Sequence, residues 1–210
     1  MAVAAFLLSA TPAAAEVGVG ISAGTTGVGA ELSYQILPVL GLRLDAGTLG
    51  LSRSIKVDDI DYDGDVTLRS AGALLDWYPL AGSFRLTAGL RLNGNDIDVQ
   101  ATPGRPVTVG GNTYAPELIG RLEGSVDYDR IAPYAGLGWT VSLPLTGLSF
   151  VADLGVMHQG RPEVSLRGTG PVAGDPRFAA DIERERRELE DEIDWTRWFP
   201  VVKLGLSYRF

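Results

Sequence analysis

A chain of 210 residues with a formal charge of −8, one histidine and no cysteine has room for one large domain and no disulfide or thiolate chemistry. Its acidity argues against nucleic acid as a partner, because phosphate binding draws on Lys and Arg clusters. A lone imidazole without thiols excludes an ordinary zinc site, and no cofactor is implied.

No run of about 18 apolar residues marks a membrane helix, a test that strand-built membrane proteins escape. The chain starts with an uncharged stretch, apolar from Val3 to Leu8 and ending in Ala13-Ala14-Ala15 before Glu16. Small residues at the last and third-last positions fit the export-signal cleavage rule. Residues 1–15 therefore read as a cleaved signal peptide with a truncated n-region, and 16–210 as the mature chain.

From Val17 onward, apolar side chains alternate with small or polar ones, the mark of a strand with two unlike faces. Val17, Val19, Ile21 and Ala23 make the first strand; past a turn at 24–27, Val28, Ala30, Leu32, Tyr34 and Ile36 make the second. Read as one strand, 17–36 would leave an odd total of seven. A turn at 37–40 leads to a third strand with Leu42, Leu44 and Ala46 on one face. A polar segment, 52–65, precedes a fourth strand, 66–78, with Ala71, Ala73, Leu75 and Trp77 outward. Its alternation breaks around Arg69, which implies a bulge or an emerging rim. The fifth, 84–93, sets Phe84, Leu86, Ala88, Leu90 and Leu92 against Arg85, Thr87, Gly89, Arg91 and Asn93.

Residues 95 to about 119 are rich in Gly, Pro, Asn and Asp, and read as a long loop or a projecting hairpin. The sixth strand ends in 134–141 with Ala135, Leu137, Trp139 and Val141 outward, and the seventh is 148–156. The excursion 159–199 carries the one helix, about 176–193, with Asp175 as N-cap and Pro176 at its first position. The eighth strand, 200–210, has Val202, Leu204, Leu206, Tyr208 and Phe210 on one face. Short and long connections alternate, as in barrels with short periplasmic turns and long outer loops. Tyr34, Trp77, Tyr78, Phe84, Trp139, Phe150, Tyr208 and Phe210 fall toward the short-turn end, and Trp195, Trp198 and Phe199 toward the other. Two aromatic belts are what membrane interfaces select.

The terminal Leu206-Ser207-Tyr208-Arg209-Phe210, with the export signal and the alternating strands, resembles the small bacterial outer-membrane β-barrel proteins of the OmpA-transmembrane, OmpX and OmpW types. The resemblance implies an all-β, eight-stranded antiparallel up-and-down transmembrane barrel with one short extramembrane helix. It also implies residence in a Gram-negative outer membrane among lipid and lipopolysaccharide. Leu206, Tyr208 and Phe210 would then be the signal read by the barrel-assembly machinery, and the protein would be a monomer.

The inward parity collects Glu31, Asp45, Asp76 and Asp153 against Arg43, Arg85, Arg91, Lys203 and Arg209. An eight-stranded barrel is just wide enough for side chains to fill, so these charges form a plug of mutual salt bridges or, in the sharper reading, a narrow charged path. Asp59, Asp61 and Asp63 open like a calcium loop, but the twelfth position is Ser70 where that loop needs Glu. The plainer reading is a hairpin tip turning at Asp63-Gly64. His158, with Ser165 and Glu163 near in sequence, matches no defensible acid–base spacing, and no catalytic residue is assigned. The leading function is a non-enzymatic barrel with an envelope-structural or surface-interaction role. The alternatives are a narrow porin-like channel for small or hydrophobic solutes and a lipid A-modifying membrane enzyme.

Overall fold

The computed structural model describes residues 16–57 and 60–210. The proposed signal peptide and Asp59 lie outside them. In chain order the described strands are β1 (Glu16–Gly24), β2 (Gly27–Leu37), β3 (Leu40–Val57), β4 (Ile60–Trp77), β5 (Phe84–Asn93) and β6 (Asp96–Pro103). They continue as β7 (Val107–Val109), β8 (Asn112–Tyr114), β9 (Leu122–Asp127), β10 (Ile131–Ser142), β11 (Leu148–His158), β12 (Glu163–Gly168) and β13 (Trp198–Arg209). Helices are α1 (Pro116–Ile119), a single turn, and α2 (Pro176–Glu192).

Eight strands close a ring, each antiparallel to the next: β1 to β5 in sequence, then β10, β11 and β13, which pairs back onto β1. The first hairpin is two strands, since Gly24 pairs with Gly27 across Thr25 and Thr26. Gly27 takes φ +88° there, a conformation open to glycine and strained for other residues. Thr25 ties the turn to β13, donating its N–H to the Val202 carbonyl (2.9 Å) and its hydroxyl to the Pro200 carbonyl (2.9 Å). The even strand count rests on those contacts.

The outward face carries large apolar side chains that no described residue covers, such as Ile21 (65% exposed), Leu44 (56%), Leu92 (64%) and Leu204 (66%). A belt of that extent in water would drive association; around a closed ring it is a lipid face. Turns at 38–39, 78–83 and 143–147 gather at one end with Glu16 and Phe210; we call this short-turn end periplasmic, after the rule that outer-membrane barrels keep their short turns on that side.

At the opposite end the ladder between β3 and β4 keeps one register from Leu40↔Trp77 to Val57↔Ile60. There is no bulge at Arg69, and the alternation changes because the strands leave the membrane. Below the rim the inward parity is polar; above it, the same parity holds Leu68, Val66 and Tyr62, while Asp65, Asp63 and Asp61 take the other face. The described residues 52–57 and 60–65 are therefore ladder and not loop. Asp63 pairs with Ser54 and Gly64 with Arg53, so the turn expected at Asp63-Gly64 is not there.

β6, β9 and β12 extend this hairpin into a sheet that stands outside the membrane. Ile97, Val99, Val126, Val164 and Leu166 share the apolar face. α2 packs along β12 at one margin of it, where Phe178 is buried with Val109 and Ile119 and Leu122 packs against them, while Val99 stays 40% exposed. The free edge of β12 is closed by α2, whose Glu190 carboxylate accepts the Val164 N–H at 3.1 Å. Capping an edge in this way removes a template for strand addition.

Candidate functional site

The barrel interior is filled in strata, which follow from how far each inward residue lies along its strand. At the periplasmic mouth a polar cavity of 390 Å³ is lined by Gln35, Tyr78, Ser142 and the Glu16–Arg209 pair, which meets at 3.1 Å. Tyr78 therefore turns into the mouth instead of joining the aromatic belt. Arg209 belongs to this rim and stands apart from the deeper charges.

Above it sits a continuous charge network. The Arg43 guanidinium reaches Asp76 (3.0 Å) and Asp153 (2.8 Å) from two sides and has Glu31 at 3.6 Å. Arg85 donates to Asp153 (2.6 Å) and to the Thr140 hydroxyl (2.6 Å). Thr87 donates its hydroxyl to Asp76 at 2.5 Å. A step higher, Arg91 forks onto both oxygens of Asp45 (2.8 and 3.2 Å) and donates to Ser70 (2.7 Å). Lys203 bonds Asp45 and approaches Asp153 at 4.0 Å, linking the two steps. Every charged side chain of this set is at most 7% exposed.

Four carboxylates face four cations here, so the lumen is neutral in total. A single buried ion would be costly; forked, multiply bonded ones are tolerable. Gly72 supplies the room, since a Cβ at that position would stand 2.6 Å from an Asp45 oxygen and 3.1 Å from the Arg91 guanidinium.

A third stratum is apolar and was not singled out from sequence: Leu74, Ala132, Tyr134, Met157 and Val201, with Phe199 against them. Arg91 lies 5.5 Å from the centre of the Tyr134 ring, joining the two strata by a cation–π contact. Phe199 is thus an inward side chain, not a member of the outer aromatic belt, whereas Trp195 (72%) and Trp198 (55%) are exposed. The signal was present in the inward parity of 74, 134, 157 and 201, but apolar inner residues draw less notice than charges. Polar side chains finish the stack, with Asn95 donating to Gln159 (2.9 Å) and Gln159 to the Thr196 carbonyl (3.1 Å).

The remaining sequence candidates lie elsewhere. Asp61 is an exposed strand residue 3.6 Å from Lys56, and Asp63 shares its face. Among the described residues no three ligating side chains converge on a metal position. His158 ends β11 edge-on to Trp198, with ring centres 4.6 Å apart, while Glu163 and Ser165 belong to the extracellular β12. Leu206, Tyr208 and Phe210 are exposed on the outward face, the two rings 5.1 Å apart.

Outside the membrane, Asp181 on α2 is buried and accepts from Tyr114 (2.5 Å) and Asn112 (2.8 Å). Those two hydrogen bonds, followed by the Arg184 charge, hold its carboxyl below the usual carboxylate range. On the same helix, hydrogen bonds from Arg186 and Arg187 bring Glu183 down to about 2.

No family model matches the chain, and no curated protein matches it in sequence. Among solved structures it is similar to CarO2 of Acinetobacter baumannii, with TM-score 0.65 and 24% identity over 94% of this chain and 100% of that one. CarO of the same organism gives TM-score 0.62 and 25% identity over 92% and 97% of the two chains. A major outer membrane protein of Thermus thermophilus follows at TM-score 0.48 and 18% identity, over 94% and 100%. The chain has the fold of the small outer-membrane β-barrel proteins.

Proposed function

We propose that the chain is an integral outer-membrane protein whose barrel is a closed, non-enzymatic anchor. Its extracellular sheet and α2 are then the working part, in an envelope-structural or surface-interaction role. The observation that carries this reading is the filled lumen: the charge network, an apolar cluster that reaches from Leu74 beside Arg43 to Phe199, and a set of polar side chains together occupy the interior of the ring. A conducting path would have to part the Arg43 forks and displace Tyr134 and Met157 together. His158 supports the non-enzymatic part of the reading, because its near neighbour is an indole and not an acid or a nucleophile.

In this reading residues 1–15 direct export and are removed, and Leu206, Tyr208 and Phe210 present the assembly signal from the outward face of β13. The test is single-channel recording of the refolded protein in a planar bilayer. Silence at moderate voltage is expected. Steady ohmic steps would establish the narrow channel in place of the anchor.

A further inference from the structure

Three cavities on the outward face of β3, β4 and β5 run into one another. The lowest, of 510 Å³, is bordered by Tyr34, Leu75 and Ala88. It shares Leu44, Ala73 and Leu90 with the next, of 350 Å³, which shares Ala71 and Leu92 with a third, of 360 Å³. That third cavity lies at the extracellular rim and is also lined by Arg69 and Arg130.

The register explains the trough. Ala73 stands between Leu44 and Leu90, and Ala71 between Ala46 and Leu92. Methyl side chains on β4 form a floor, and leucines on the flanking strands form walls that are 56–64% exposed. From Arg69 to Leu75 the floor runs six residues, about 20 Å of strand. At a tilt of about 40° that is about 15 Å of depth, half of the roughly 30 Å hydrocarbon core. The trough therefore runs down from the rim, where headgroups lie, across the outer leaflet, and ends beside Tyr34 and two residues short of Trp77, close to the short-turn aromatic belt. Arg69 and Arg130 are exposed at the rim, and neither has an ion-pair partner among the described residues.

We infer that this trough is a defined site for one acyl chain of an outer-leaflet lipid whose phosphate headgroup is held by Arg69 and Arg130. The upper part of the trough offers one chain an apolar groove, and the two exposed guanidinium groups at its mouth, with Asp96 close enough to feel the Arg69 charge, offer a phosphate the forked geometry that arginine favours. The inference rests on the outer-membrane placement proposed above, but not on whether the lumen conducts.

The test is native mass spectrometry of the folded protein titrated with bis-phosphorylated lipid A. The wild type should retain one lipid, and the Arg69→Gln/Arg130→Gln pair should lose retention by about tenfold or more. Lipid A stripped of its phosphates should be lost from the wild type to the same degree. Ala73→Phe, which fills the floor and keeps both arginines, should also lose the lipid. Leu204→Phe, on the outward face of β13, should not. Equal retention of the dephosphorylated lipid, or full retention by Ala73→Phe, overturns the site. Heat-modifiable gel mobility, measured on each variant, reports separately whether the membrane barrel itself has formed.

Discussion

At the scale of single residues, Arg43 does the most. One guanidinium bridges Asp76 and Asp153, which belong to β4 and β11, strands that are not neighbours in the ring. Replacing it with Met leaves two buried carboxylates short of a partner, and we predict a loss of about 3–5 kcal/mol. The urea midpoint of the heat-modifiable form in micelles would read it, and an unchanged midpoint would show that the network adds nothing to stability. Gly72→Val should destabilise too, because the new side chain would collide with the Asp45–Arg91 fork; its effect should shrink in an Asp45→Ala background. The set of inward charges was legible from parity alone. Their pairing was not, because the relative stagger of β3, β5, β11 and β13 decides which carboxylate meets which cation. Thr87, Ser70 and Thr140 were passed over for the same reason: a hydroxyl on the inner face says nothing until a charged neighbour is placed beside it.

Among elements, the docking of α2 on the extracellular sheet is titratable. Asp181 is held below the usual carboxylate range in the folded protein. A group lowered on folding contributes stability above its unfolded pKa and loses it as pH falls through the folded one. Amide hydrogen exchange in α2 should accordingly quicken between neutral pH and roughly pH 3, relative to strands inside the membrane. Asp96 has the opposite sign. Burial, and behind it the carboxylates of Asp98 and Asp127, push it up, so acidification relieves β6 while it loosens α2. Protection of α2, corrected for intrinsic exchange, that rose on acidification relative to the membrane strands would contradict the assignment. Phe178→Ala should undock the helix without unfolding the ring, leaving heat-modifiable mobility intact and exposing α2 to protease. The helix and its Asp175 cap were readable from sequence, and the Asp175 carboxylate accepts the Arg177 N–H at 2.8 Å. The sheet beneath it was not readable. Past the rim the two faces exchange character, so residues 52–57 and 60–65 lose the pattern that defines a lipid-facing strand while remaining strand. β6, β9 and β12 are also short, and their acidic outer face makes them look like loop.

For the molecule as a whole, closure is the property to challenge. An Arg43→Ala/Asp153→Ala double variant removes one cation and one anion together and keeps the lumen neutral; we expect it to stay silent in bilayers, since Tyr134 and Met157 still fill the interior, and ion steps would show that the charge network alone is the barrier. Continued silence would place the barrier in the apolar stratum of Tyr134, Met157 and Val201. The order in which the ring can shut follows from β1. Above Glu16 at the mouth its inward positions are Gly18, Gly20, Ser22 and Gly24, so it adds no long side chain to the deeper interior, and a Cβ at Gly20 would already stand 2.8 Å from the Glu31 side chain. The strand at the seam is thus a smooth shutter: the deep charges can find their mates while the wall is still open, and the last joint is made by backbone, with the Glu16–Arg209 pair closing it at the mouth. Gly20→Leu should slow the final rise of the heat-modifiable band during refolding into micelles more than it slows the first gain of strand signal by circular dichroism.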